Sequence, residues 1–159
     1  MQGKCLCGGV RFTLSGEIPN LYQCHCSLCR QVTGSSANAA FRIDLAQLTW
    51  NSGEELVQKY ESESGFKSHF CSRCGSPLPN LTAAGSAWWV PVGLLEESEE
   101  LQVAAHLFIG SRAAWDVIGS SGKHFDEMPD AAALADLLLL PALILLLMKI
   151  GKSKAKHQL

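Results

Sequence analysis

The 159-residue sequence predicts a mainly β domain over residues 1–129 and an apolar, helical extension over residues 130–159. Three observations carry this division. Up to Pro129 the apolar runs are short and broken by Gly, Ser, Asn and Pro, the pattern of strands joined by tight turns. All seven cysteines fall in three short groups before residue 75. From Ala131 to Ile150 only Asp136, Pro141 and Lys149 interrupt an apolar run.

Taken in order, Val10-Arg11-Phe12-Thr13-Leu14-Ser15 alternates and stops at Gly16, which reads as a strand. Ala39 to Ile43, Leu56 to Tyr60 and Phe66 to Phe70 are further short strands. Trp88 to Leu94 reads as a buried strand in which Pro91, lacking a ladder donor, favours an edge or bulge. Glu96 to Glu100 is an acidic turn, and Val103 to Ile109 is the last strand of the body.

Charged residues make 18% of the chain and apolar ones 47%, which excludes collagen-like, coiled-coil and wholly disordered chains. The formal charge is −4 over residues 1–129 and +2 over 130–159. A weakly acidic body without a basic, aromatic-laced stripe does not predict a nucleic-acid partner. The segment Met1 to Cys7 lacks the apolar core of a secretory signal, which predicts a cytoplasmic chain with reduced thiols.

Three placements stay open for the extension. Leu137 to Met148 spans about 18 Å as a helix, short of a bilayer core of about 30 Å. Extending it to Ala131 puts Asp136 in lipid, at a cost of about 2.5–3.5 kcal/mol. The segment therefore packs on the body or at an oligomer interface, lies on a membrane with Lys152, Lys154 and Lys156 at the headgroups, or stays unpacked.

The cysteine groups are Cys5-Leu6-Cys7, Cys24-His25-Cys26-Ser27-Leu28-Cys29 and Cys71-Ser72-Arg73-Cys74. An odd number cannot pair completely into disulfides, and the short spacings suit metal. Cys71-x-x-Cys74 before Gly75 predicts a tight turn aiming two sulfurs at one ion. Cys5 and Cys7 complement it, leaving the middle three as a separate set. Four thiolates close a structural zinc site. Three leave one position for water or a substrate thiolate, which is the logic of a catalytic zinc. Two other arrangements stay open: Cys5 and Cys7 joined to the middle group with Cys71 and Cys74 as a redox pair, or several cysteines as plain buried apolar groups. His25, between two ligands, is expected to turn its ring away and be solvated or hydrogen-bonded. His69 is expected on a strand face and His106 as a satisfied core or pocket histidine. His124 and His157 carry no positional argument.

These residues resemble the glutathione-dependent formaldehyde-activating enzymes and their centromere protein V relatives. The resemblance runs through Cys5-Leu6-Cys7-Gly8-Gly9-Val10, Cys24-His25-Cys26-Ser27-Leu28-Cys29-Arg30 and Thr33-Gly34-Ser35. It continues through Ser52-Gly53-Glu54, Phe70 to Ser76, Val92-Gly93-Leu94, His106 and Trp115, covering roughly residues 3–129. It implies a compact domain of small antiparallel sheets with two zinc ions: Cys5, Cys7, Cys71 and Cys74 holding the structural one, Cys24, Cys26 and Cys29 the catalytic one. It further implies a carbon–sulfur lyase that forms or cleaves S-(hydroxymethyl)glutathione or a related thiol–aldehyde adduct, with a thiol such as glutathione and an aldehyde as partners. Arg30, Arg42, Lys67 and Arg112 are the candidates to meet the glutathione carboxylates. The alternative is a non-catalytic, zinc-stabilised scaffold for a protein partner or membrane surface.

Overall fold

A computed structural model describes residues 1–139; residues 140–159, with Pro141, the lysine-rich end and His157, lie outside the described residues. In chain order the elements are β1 (Gln2–Lys4), β2 (Arg11–Leu14), β3 (Leu21–Cys24), α1 (Ser27–Thr33), β4 (Asn38–Asp44), β5 (Leu48–Ser52) and β6 (Val57–Glu61). They continue with β7 (Lys67–Cys71), β8 (Pro77–Leu78), β9 (Asn80–Leu81), β10 (Ala87–Pro91), β11 (Val103–Leu107) and β12 (Lys123–His124).

The strands form three sheets, ordered β1-β2-β5, β12-β11-β3-β4-β10-β9 and β6-β7-β8. The two three-stranded sheets are antiparallel, as expected. The large sheet is mixed, because β11 runs parallel to both β3 and β12. Parallel pairing needs a long crossover rather than a hairpin, and the stretch from Cys24 to Val103 supplies one.

Side chains alternate across this sheet and bury both of its faces. Leu21, Phe41, Ile43 and Val90 join Phe12, Leu14 and Leu48 in one core. Tyr22, Cys24, Ala40, Ala105 and Leu107 join Cys29, Leu134 and Leu138 in the other. A third, smaller cluster gathers Cys5, Val10, Cys71 and Leu78. Residues 131–139 are helical, and the Leu138 carbonyl accepts from the Asn20 amide at 3.0 Å. Among the described residues no helix is long and apolar enough to cross a membrane.

The strand expected over Trp88–Leu94 ends at Pro91 and passes into a 3-10 turn, Val92–Leu94. Pro91 cannot donate, and β9 reaches only Trp88 and Trp89, so the proline sits where one neighbour alone pairs. The strand expected over Val103–Ile109 ends at Leu107, because Phe108 takes a left-handed φ of 57°.

Gly53 holds two segments in close register. Its φ is +75°, and a Cβ there would lie 2.1 Å from the Gly9 carbonyl oxygen.

Candidate metal centre and substrate cavity

Two loops build the first cysteine cluster. In one, the Gly8 amide bonds the Cys5 carbonyl at 2.9 Å and the Val10 amide donates to Cys5 Sγ at 3.3 Å. In the other, the Gly75 amide bonds the Cys71 carbonyl at 2.8 Å, with Gly75 at φ 74° as its turn demands. Ser76 ties the loops together: its Oγ accepts from the Leu6 amide at 3.0 Å and lies 3.4 Å from Cys74 Sγ. The sulfurs of Cys5, Cys7, Cys71 and Cys74 lie within 4.8 Å of one another.

One short segment builds the second cluster. Cys24 ends β3, Cys29 sits in the first turns of α1, and Cys26 is the N-cap, its Sγ accepting from the Cys29 amide at 3.5 Å. Gly34 closes the helix in the left-handed region. These three sulfurs also lie within 4.8 Å of one another, apart from the first four. Of the arrangements the sequence leaves open, the four-plus-three grouping is the one the fold assembles.

Spacing and charge both suit an ion. A tetrahedral zinc with bonds of about 2.3 Å separates its sulfurs by about 3.8 Å. The observed separations are 3.5 Å for Cys5–Cys7, 3.9 Å for Cys7–Cys71 and 3.6 Å for Cys24–Cys26. Each cluster shares protons unevenly. The Ser76 hydroxyl and amide pull Cys74 down to about 5. Cys24 falls to about 6, first through its contact with Cys29, which is held far above the usual thiol range by the same contact and by burial. A metal ion replaces such shared protons.

The second cluster opens on a cavity of about 720 Å³. Its floor is one face of the large sheet. The register places Asn38 opposite Cys24, Arg42 opposite Trp89, and Asn80 on the other side of Trp89, and all five line the cavity. Phe66, Lys67 and His69 line it from β7 and the turn before it, and Phe108 from the end of β11. Burial holds His69 below the ordinary imidazole range, and its Nδ1 donates to the Pro79 carbonyl at 3.1 Å.

Of the four basic candidates, Arg42 and Lys67 reach this cavity. The Arg42 guanidinium makes no hydrogen bond or ion pair among the described residues, and the Lys67 ammonium has only a loose contact with Glu61 at 3.9 Å. Arg30 and Arg112 do not line it. Arg30 donates to the carbonyls of His25 and Ser111, which clamps α1 to the loop after β11, and Arg112 donates to the Ile109 carbonyl at 3.2 Å.

His25 turns away from its cysteine neighbours, as expected, into a buried chain. Its Nδ1 meets Asp116 Oδ2 at 2.6 Å and its Nε2 meets His106 Nδ1 at 3.0 Å; His106 Nε2 meets the Ser121 carbonyl at 3.0 Å. The Asp116 carboxyl group and the Ser121 carbonyl end the chain, so all four ring nitrogens of the two histidines are engaged within it. The sequence reading missed Asp116 and Asn38. Asp116 adjoins Trp115, which was a weak hint; Asn38 becomes visible only through its register with Cys24.

A family model described as glutathione-dependent formaldehyde-activating enzyme matches residues 1–111. A curated protein of Halomonas elongata, provisionally named as a glutathione-dependent formaldehyde-activating enzyme, is 34% identical over 84 residues. That match covers 49% of this chain and 54% of the relative, so the chain spans about half the length of that protein. A crystal structure of a Rhodobacter sphaeroides protein aligns with a TM-score of 0.53 at 25% identity, covering 63% of this chain and 92% of that one.

Proposed function

Because the chain belongs to the glutathione-dependent formaldehyde-activating family, we propose that it is a zinc-dependent carbon–sulfur lyase that forms or cleaves S-(hydroxymethyl)glutathione or a closely related thiol–aldehyde adduct. The observation that carries this reading is the placement of three thiols, Cys24, Cys26 and Cys29, on a cavity that also holds two cationic side chains.

An all-sulfur donor set favours zinc among the biological divalent ions. Bound by these three thiolates, zinc would supply a Lewis-acidic position open to a fourth ligand. Cys5, Cys7, Cys71 and Cys74 would hold a second, structural ion. The remaining work falls to the chain's own residues. Arg42 and Lys67 meet the carboxylates of the tripeptide thiol, offsetting the net negative charge of three thiolates around a divalent ion. Tyr22, Trp89 and Phe108 wall the cavity with apolar surface and exclude water. Holding thiol and aldehyde together turns a bimolecular encounter into an oriented one. The substrate brings its own nucleophilic sulfur, so none is needed from the protein. Residues 1–129 form the chemical unit on this reading, and reduced cytoplasm is where its thiols stay available.

Two-dimensional exchange NMR on glutathione, formaldehyde and their adduct tests the proposal. Exchange that is faster with protein supports it, and equal exchange with and without protein overturns it. Metal analysis separates the scaffold alternative: two zinc ions per chain, one labile to glutathione, support the lyase, and one tightly held ion supports the scaffold.

A further inference from the structure

We infer that Asn38 reads the oxygen of the thiol–aldehyde adduct, donating a hydrogen bond from its side-chain amide and so separating hydroxyl-bearing adducts from plain thioethers. This rests on the lyase reading above for the identity of the ligand.

Among the described residues only two buried side-chain nitrogen or oxygen atoms lack a hydrogen-bond partner, Asn38 Nδ2 and Thr82 Oγ1. Both residues line the cavity of the second cysteine cluster. Asn38 is 4% exposed, so its amide cannot fall back on bulk water. A buried donor without a partner is costly, and in the wall of a cavity a bound ligand can supply the missing acceptor. The register sharpens the assignment. Asn38 stands directly opposite Cys24 in the antiparallel β3–β4 pair. Opposed residues share a sheet face with Cβ atoms about 5 Å apart, so the amide belongs to the wall beside the three thiols.

The chemistry needs a donor there. When the thiol adds to the aldehyde, the sulfur lone pair forms the carbon–sulfur bond and the carbonyl π pair moves to oxygen. The proton lost by the thiol ends on that oxygen, giving the hydroxymethyl thioether; cleavage is the reverse, with no redox change. Asn38 transfers no proton. Its N–H stabilises the oxygen as charge develops and afterwards holds the hydroxyl. A site built to hydrogen-bond a substrate hydroxyl rejects the analogue that lacks it, because its own polar group is then left unpaired.

The experiment compares wild-type protein with Asn38→Leu and Asn38→Asp. Ligand-observed NMR measures the affinity of S-methylglutathione and of the adduct in an equimolar glutathione–formaldehyde mixture, and exchange spectroscopy and metal content are recorded on the same samples. The wild type is expected to prefer the adduct by about tenfold or more. Both variants are expected to lose that preference, to bind S-methylglutathione within about twofold of wild type, and to keep their metal, with exchange slowed about a hundredfold. A variant that keeps the preference overturns the inference, as does a wild type without one. Loss of S-methylglutathione affinity or of metal in both variants also overturns it, since Asn38 would then be structural. A wild type that prefers the adduct yet leaves exchange at the protein-free rate overturns the lyase reading alone and supports the role of Asn38 in binding.

Discussion

The two cysteine clusters use the same donor atom and are assembled in opposite ways. Sixty-four residues separate Cys7 from Cys71, so the first cluster closes a long loop and pins the start of the chain to the β6-β7-β8 sheet. Cys24, Cys26 and Cys29 lie within one strand-to-helix turn and close almost no loop. An ion in the first site therefore restrains far more of the unfolded chain than one in the second. The second is held from behind instead, by its helix cap and by the Asp116–His25–His106 chain. The long-range cluster is suited to stability and the local one to chemistry.

Replacing one ligand in each cluster tests this contrast most directly. Cys71→Ser is expected to cost the first metal and lower Tm by about 10 °C or more, measured by circular dichroism with metal analysis. Cys26→Ser is expected to abolish thiol–aldehyde exchange and lose the second metal while Tm moves by less than about 3 °C, because serine is itself a good N-cap. A Cys26→Ser protein that unfolds as readily as Cys71→Ser would erase the contrast.

Smaller changes sharpen it. Gly53→Ala forces a side chain into left-handed backbone and against the Gly9 carbonyl, and is expected to cost about 3 kcal/mol in urea unfolding. Asp116→Asn replaces the buried carboxyl partner of His25 Nδ1, at an expected cost of about 2 kcal/mol, and should loosen the second metal but not the first. The gentlest probe is acid. Burial first, then the neighbouring His25 and His124, holds His106 below the ordinary imidazole value of 6.5. The unfolded chain thus takes up a proton there before the folded one does, so the associated stability is full above about pH 6.5 and is lost as pH falls through the folded value. Tm recorded from pH 7.5 to 5 should decline, and His106→Gln should flatten the decline.

The cysteine spacings made both clusters legible, because ligand geometry is local in sequence even when the pairing is not. The β character was legible in alternating runs such as Arg11–Leu14, whose Phe12 and Leu14 are buried. Short elements were not. Helix α1 has seven residues, too few for an apolar period, and is set by a cysteine N-cap and a glycine C-cap. The two-residue strands β8, β9 and β12 exist only because neighbours offer a ladder. The cavity floor was invisible for a related reason. Asn38, Arg42, Trp89 and Asn80 meet through cross-strand register, which no run of residues encodes alone. Arg30 shows the converse: it sits within the most recognisable motif, yet carbonyls claim its guanidinium.

The burial of Leu134 and Leu138 beside Cys24 and Cys29 bears on how this protein can be cut for laboratory use. A fragment stopped at residue 129 would strip the cover from an apolar wall that includes Tyr22 and Leu107, inviting aggregation of an otherwise intact fold. Truncations meant to isolate the metal-binding body should therefore retain the chain through residue 139.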